Sequence, residues 1–304
     1  MEYGKIIKQA LEIAWRKKYL WVFGFFASMG GGGGGNYNNF IDKDNASGAA
    51  SGFWDWITSH PGMVAVLILA AIGLFIVLMV LYLVSKGGLI GSVSRISKDQ
   101  PDSFEKTLGY GLQFFWRMLG IDILFGLSYI LILGLAIFPP VMMIIVGGSA
   151  VKIFGILLII LLILPVVALM YCIAIIGTFS AQIAVIEDKK VFNAIPAGYA
   201  LFKGNLGRSV LLGLIIFGIA MLYVIAFIIA IIILAIPFII LGVVNLWAGL
   251  IPGIVIGLPL ILIISGIYGT FGSGYWTLAY QELAAMKNNE TSPAKTEPLI
   301  VPDV

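Results

Sequence analysis

Few side chains in this sequence are placed to do chemistry, and Asp122 is set apart by its surroundings. It is the only acid in the apolar stretch 118–151. A carboxylate at membrane depth is costly, so it marks a ligand, ion or proton path unless a neighbouring cation neutralises it. Arg117 lies just before it, and Lys203 and Arg208 stand at the boundary of a later apolar stretch. Asp122, Arg117 and Arg208 therefore form a candidate intramembrane polar site with two readings. Asp122 either serves a path through the membrane or simply pairs with Arg117, Lys203 or Arg208 near the membrane surface.

Other chemistries lack partners. His60 and Cys172 are the only histidine and cysteine and stand far apart, whereas a nucleophile needs a base within reach. Glu187-Asp188 beside Lys189-Lys190 reads as a solvated turn rather than a metal site. The run Gly30 to Gly35 lacks the following Lys and Ser/Thr of a phosphate-cradling loop and reads as a flexible linker. The sequence thus predicts a protein without catalysis, cofactor or metal of its own. A formal charge of +3 gives no sign of nucleic-acid binding. Membrane lipids, a second copy or another membrane protein are the expected partners.

The elements that position Asp122 follow from composition. The chain is 61% hydrophobic and 11% charged over 304 residues, against roughly a quarter charged in a soluble domain. Apolar runs at or above the ~20 residues of a spanning helix predict six spans, at about 19–35, 62–84, 118–138, 153–183, 209–235 and 253–283. Pro139-Pro140 is expected to stop or kink the third. Residues 236–252 are read as a hydrophobic connection, helical or re-entrant. Residues 30–60 form a Gly-rich extracytoplasmic loop in which Phe53, Trp54 and Trp56 look like an interfacial anchor, and 287–304 a polar, disordered tail. Arg16-Lys17-Lys18 before Tyr19 to Ala27 mimics a signal peptide, but Glu2, Glu12 and the missing cleavage site argue for retention.

Three amphipathic helices precede spans, at 3–16, 102–117 and 190–204. In the first, Tyr3, Ile6, Ile7, Ala10, Leu11, Ala14 and Trp15 recur at helical spacing opposite Lys5, Lys8, Glu12 and Arg16, the pattern of a helix lying in the interface. Sliding the second back by 101 residues superimposes Trp116-Arg117 on Trp15-Arg16, Leu112 on Leu11 and Leu108 on Ile7. Gly198-Tyr199 echoes Gly109-Tyr110 at an offset of 89. These matches describe a quasi-threefold repeat, in which Trp15-Arg16, Trp116-Arg117 and Phe202-Lys203 are equivalent anchors. Gly249, Gly253 and Gly257, four apart, mark a close helix contact with another span or a second subunit.

Sorting the 18 Lys and Arg residues leaves only Lys43 and Lys152 outside if the N-terminus is inside, which predicts an inner-membrane protein with both termini cytoplasmic. The pattern Leu112 to Gly120 and Tyr199 to Gly207, each followed by a span, resembles a bacterial and archaeal group of six-span membrane proteins. That group includes the membrane domain of glycerophosphoryl diester phosphodiesterases. Over residues 3–286 the resemblance implies a membrane location and a lipid-related role. It does not imply the phosphodiesterase activity, because no catalytic barrel is present. The expectation is an all-α polytopic bundle acting as a scaffold or lipid-associated module. The alternative is a transporter or channel-like permease for a small or lipid-like substrate, with Asp122 and the proline-interrupted spans near its path.

Overall fold

The computed structural model describes residues 1–30 and 56–291. Helices α1 (Tyr3–Arg16) and α2 (Leu20–Met29) are followed by α3 (Pro61–Ile96), α4 (Phe104–Val146) and α5 (Ser149–Ile186). After them come α6 (Val191–Gly204), α7 (Leu206–Val244) and α8 (Leu246–Thr291). Lys43, Phe53, Trp54, most of the Gly-rich loop and the tail beyond Thr291 lie outside the described residues.

Five helices, α3, α4, α5, α7 and α8, are long and apolar enough to cross a membrane, the architecture of a multi-pass membrane protein. α2, the described part of the predicted span 19–35, is 10 residues long. That is about 15 Å of helix, half the ~30 Å hydrocarbon core.

The prolines do less than expected. α4 runs through Pro139-Pro140, α5 through Pro165, α7 through Pro237, and α8 through Pro252 and Pro259. Stretch 236–252, expected as a hydrophobic connection, helical or re-entrant, is mostly helix, and so is 141–152. α4 and α5 meet at Gly147-Gly148, and α7 and α8 meet at Asn245, whose side chain accepts a hydrogen bond from the Trp247 amide at 3.0 Å. A proline forfeits one backbone hydrogen bond, whereas a chain break in lipid strands several, so continuing the helix is the smaller loss. The second amphipathic segment and the third span are likewise one helix, α4, whose start Ser103 caps by accepting from the Lys106 amide. The polar tail keeps helical form as far as Thr291.

Burial is concentrated at one end of the bundle. The last turns of α3, α5 and α8 form its centre, with Leu89, Phe179 and Tyr275 fully buried there. An amphipathic segment lies against each of them: α1 on α8, the start of α4 on α3, and α6 on α5. Buried polar side chains tie the centre together. Gln281 donates to Ser94 at 2.9 Å, Thr277 to Gln182 at 3.1 Å, and the Ser92 and Thr107 hydroxyls are 2.7 Å apart. The Tyr275 hydroxyl holds α7 by donating to the Leu212 carbonyl at 2.8 Å.

Glycines permit the closest approaches. Gly24 of α2 meets Gly269 of α8 backbone to backbone, so that a Cβ on Gly269 would lie 2.7 Å from the Gly24 carbonyl carbon. Thr270 reinforces this crossing by donating to the Leu20 carbonyl at 3.0 Å. Toward the other end the helices separate into the hairpins α4/α5 and α7/α8 and the lone outer half of α3, whose residues from Gly62 to Val77 are almost all exposed. Those surfaces are continuously apolar and suited only to lipid.

The α2/α8 crossing makes a stability prediction. Gly269→Val should cost about 2 kcal/mol or more through overpacking against backbone, read as a lower thermal midpoint of the purified protein. Gly126→Ala, where a Cβ meets nothing within 4 Å, should leave the midpoint unchanged or slightly raised.

Candidate functional site

Above the packed end, α2, α3, α4, α5, α7 and α8 enclose a cavity of about 670 Å³. Gly177 of α5 and Gly269, Gly272 and Ser273 of α8 line it. A Cβ on Gly272 would meet nothing within 4 Å. The floor is Ile90, Ile121, Gln182 and Trp276, and the rim is Tyr129, Ala174 and Tyr268. From Ile121 to Tyr129 of α4 is about 12 Å along the helix axis, so the cavity extends about two helical turns away from the packed end. It is closed toward the packed end and widens toward the separated hairpins.

Two charges sit near its floor. Lys86 Nζ donates to Asp122 Oδ1 at 2.5 Å. Each side chain is about a quarter exposed, 26% for Lys86 and 27% for Asp122, and that exposure is to the cavity. Tyr82 lies beside both, with Lys86 Nζ 5.7 Å from the centre of its ring. Asp122 Oδ2 is buried and meets no donor among the described residues. In a low-dielectric setting, two charges taken out of water compensate one another only as a pair, and removing either leaves the other stranded.

The expected partners of Asp122 are elsewhere. Arg117 points to the end of α5, where it pairs with Asp188 Oδ1 at 2.5 Å and donates to the Ala184 carbonyl at 3.2 Å. A cation there suits the exposed carbonyls of a helix C-terminus. Arg208 donates to Asn205 Oδ1 at 3.2 Å. The structure therefore does not bring Asp122, Arg117 and Arg208 together, and the partner of Asp122 is Lys86. Its signal was legible: Lys86 is the only charged residue from Gly62 to Ser94, and apolar and small residues continue for two turns beyond it.

The anchors divide in two. Trp15 and Trp116 are 64% and 75% exposed, each at the end of an outward stripe. These stripes are Leu11 and Trp15 on α1 and Leu108, Leu112 and Trp116 on α4; Ile7, which superimposes on Leu108 in sequence, is half-buried against the core. Arg16 pairs with Glu12 at 2.9 Å on the surface. Phe202, the expected third anchor, is 5% exposed and belongs to the core, while Lys203 beside it is exposed. The outward aromatic residues of α6 are Phe192 and Tyr199. Pro196 sits inside α6, and the face turned to the core is set by Ala194, Gly198 and Leu201, which a single aromatic-basic match does not register.

Gly249, Gly253 and Gly257 face α7 within the α7/α8 hairpin. Gly249 lies against Gly242, and Cβ atoms on Gly253 and Gly257 would meet Phe238 at 3.5 Å and Leu234 at 3.9 Å. His60, just before α3, has Nδ1 2.9 Å from the Ser59 hydroxyl, and Cys172 lies within α5 as a free thiol. Among the described residues no three His, Cys, Asp or Glu side chains converge on a metal position.

No protein-family model, curated protein or solved structure matches the chain.

The ion pair is testable as a unit. Asp122→Asn or Lys86→Met alone should each destabilise the fold by about 3 kcal/mol. The double variant Lys86→Met/Asp122→Leu should recover most of that loss in thermal unfolding. Additive losses would mean that the two charges are not coupled.

Proposed function

We propose that this protein binds a small or lipid-like substrate in its central cavity and passes it into or across the membrane, without catalysis of its own. One observation carries the reading: a cavity about 670 Å³ in volume, in the midst of an apolar bundle, with the Lys86–Asp122 pair near its floor. A pair retained where apolar packing would be cheaper is the mark of an intramembrane functional group. Gly272 leaves space open at the cavity wall, since a Cβ there meets nothing within 4 Å.

In this reading the packed end faces the cytoplasm and the cavity opens to the other side. Among the described residues every Lys and Arg except Lys152 lies on the helices and turns of the packed end, or on the part of a span next to it, and the positive-inside rule puts that end inside. Both termini are then cytoplasmic and the membrane is the inner membrane. The outward stripes ending in Trp15 and Trp116 rest at headgroup level beside basic residues.

A threefold repeat accounts for the arrangement. Each amphipathic segment lies on the end of the span before it, and α1 completes the circle by lying on α8. Asp99 and Asp188, 89 residues apart like the sequence echoes, both take left-handed backbone at the ends of α3 and α5, with φ of 55° and 53°. The lipid-associated scaffold, the first expectation from the sequence, becomes the second reading, supported by the same outward stripes.

Cysteine accessibility tests orientation and cavity together. In a Cys172→Ser background, Gly272→Cys should react with a membrane-impermeant thiol reagent from the extracytoplasmic side only. Lys8→Cys should react from the cytoplasmic side only. A Gly272→Cys protein that is unreactive from both sides returns the scaffold reading to first place, and reversed sides overturn the orientation.

A further inference from the structure

We propose that the cavity takes the headgroup of a zwitterionic amphiphile, its anion on Lys86 and its cation between Asp122 and the aromatic wall. The inference rests on the cavity being a substrate site and adds the substrate's class. Lys86 and Asp122 come from different helices and cancel one another at 2.5 Å. A ligand of one sign must part them and leave one charge unmatched inside an apolar bundle. A ligand carrying both signs replaces both partners at once, so that no charge is stranded when the pair opens.

Two further features assign the ends of the ligand. Lys86 holds Oδ1 of Asp122 and Tyr82 lies beside both, while Oδ2 is buried without a donor among the described residues, so that as the pair opens the carboxylate has acceptor capacity for an ammonium group. Tyr82, Phe125, Tyr129, Tyr268 and Trp276 line the same cavity. Ring faces attract cations, and a carboxylate among aromatic rings is a cation site; the Lys86 ammonium already stands over the Tyr82 ring. The ammonium of Lys86, once parted from Asp122, is in turn the one cation lining the cavity among the described residues for a phosphate or carboxylate.

The amphiphile follows from what lies beyond the rim. There the helix faces that line the cavity continue as apolar surface, at Leu133 of α4, four residues beyond Tyr129, and at Val167 of α5, seven before Ala174, which are 36% and 60% exposed. A water-soluble zwitterion leaves these faces uncovered, whereas acyl chains continue along them.

The test uses the purified full chain in an uncharged detergent, with native mass spectrometry to count retained lipid. Dioleoyl phosphatidylethanolamine, phosphatidylglycerol and diacylglycerol are offered in equal amounts, carrying both charges, the anion alone and neither. Phosphatidylethanolamine should be retained about tenfold over the other two, the discrimination expected when a stranded charge is avoided. Lys86→Met/Asp122→Leu should abolish that preference while keeping its thermal midpoint. Gly272→Leu, at a position where a Cβ meets nothing within 4 Å, should occupy part of the cavity and lower retention of all three lipids.

Equal retention of phosphatidylethanolamine and phosphatidylglycerol, or a preference that survives the double variant, overturns the zwitterion assignment. If Gly272→Leu still displaces lipid in that case, the cavity stands as a substrate site with a different substrate. Retention that Gly272→Leu leaves unchanged sinks both. Free phosphoethanolamine competing as strongly as the lipid overturns the amphiphile and makes the substrate a soluble zwitterion.

Discussion

Lipid tails are as apolar as leucine, so burial alone gives spanning helices little reason to gather. What gathers them here is backbone contact at small residues, of which Gly24 against Gly269 is the closest kind. Side chains at either position would push α2 off α8 and take with it the Thr270 bond to the Leu20 carbonyl. α1 depends on the same crossing, because it is joined to α2 by a single turn and lies on the next stretch of α8, where Gly274 faces Ala10. Small residues repeat this device between α3 and α4 at Gly88 and Gly111, and between α5 and α6 at Gly198. Dispersion and hydrogen bonds act at these short distances, which explains why association is tight at one end and slack at the other.

That asymmetry creates the cavity. Where the helices touch through glycine, the space between them is filled by Leu89, Phe179 and Tyr275. A turn or two further along, the same helices still carry glycine and serine on their inner faces, but their axes have begun to part. Lys86 and Asp122 sit at that transition, close enough to the rigid end to be held and far enough along to be reached. Their pairing spans α3 and α4, so opening it disturbs two helices that the Ser92–Thr107 contact fixes just below.

Much of this was legible in the sequence. Amphipathic periodicity placed α1 and α6 nearly to the residue, since one face of each must be buried and the other cannot be. Apolar runs located the long helices because only a helix satisfies its own backbone in lipid. The prolines misled: their cost is local, while the cost of ending a helix in hydrocarbon is paid by several backbone groups. The partner of Asp122 was hidden because Lys86 is 36 residues away and is brought near only by how α3 and α4 cross. Phe202 was misassigned for a related reason, since a match in residue type says nothing of which face a helix turns inward. Lys86 stood in plain view, alone in a long uncharged stretch, yet it reads as the last residue of a span unless the apolar pattern beyond it is followed to Ile96.

The α7/α8 hairpin has a mechanical consequence. It is held at its base, where Tyr275 bonds to Leu212, and its tip carries exposed Val243, Leu246 and Trp247. The arm from Leu212 to Val244 measures about 48 Å along the axis. Hinge motions in proteins work by rotating rigid elements about such fixed points, and a turn of about 5° at this base sweeps the tip through roughly 4 Å. The hairpin is thus a lever with its fulcrum beside the cavity floor, and a displacement of less than an ångström among Tyr275, Leu212 and their neighbours is enlarged several times at the distant membrane surface.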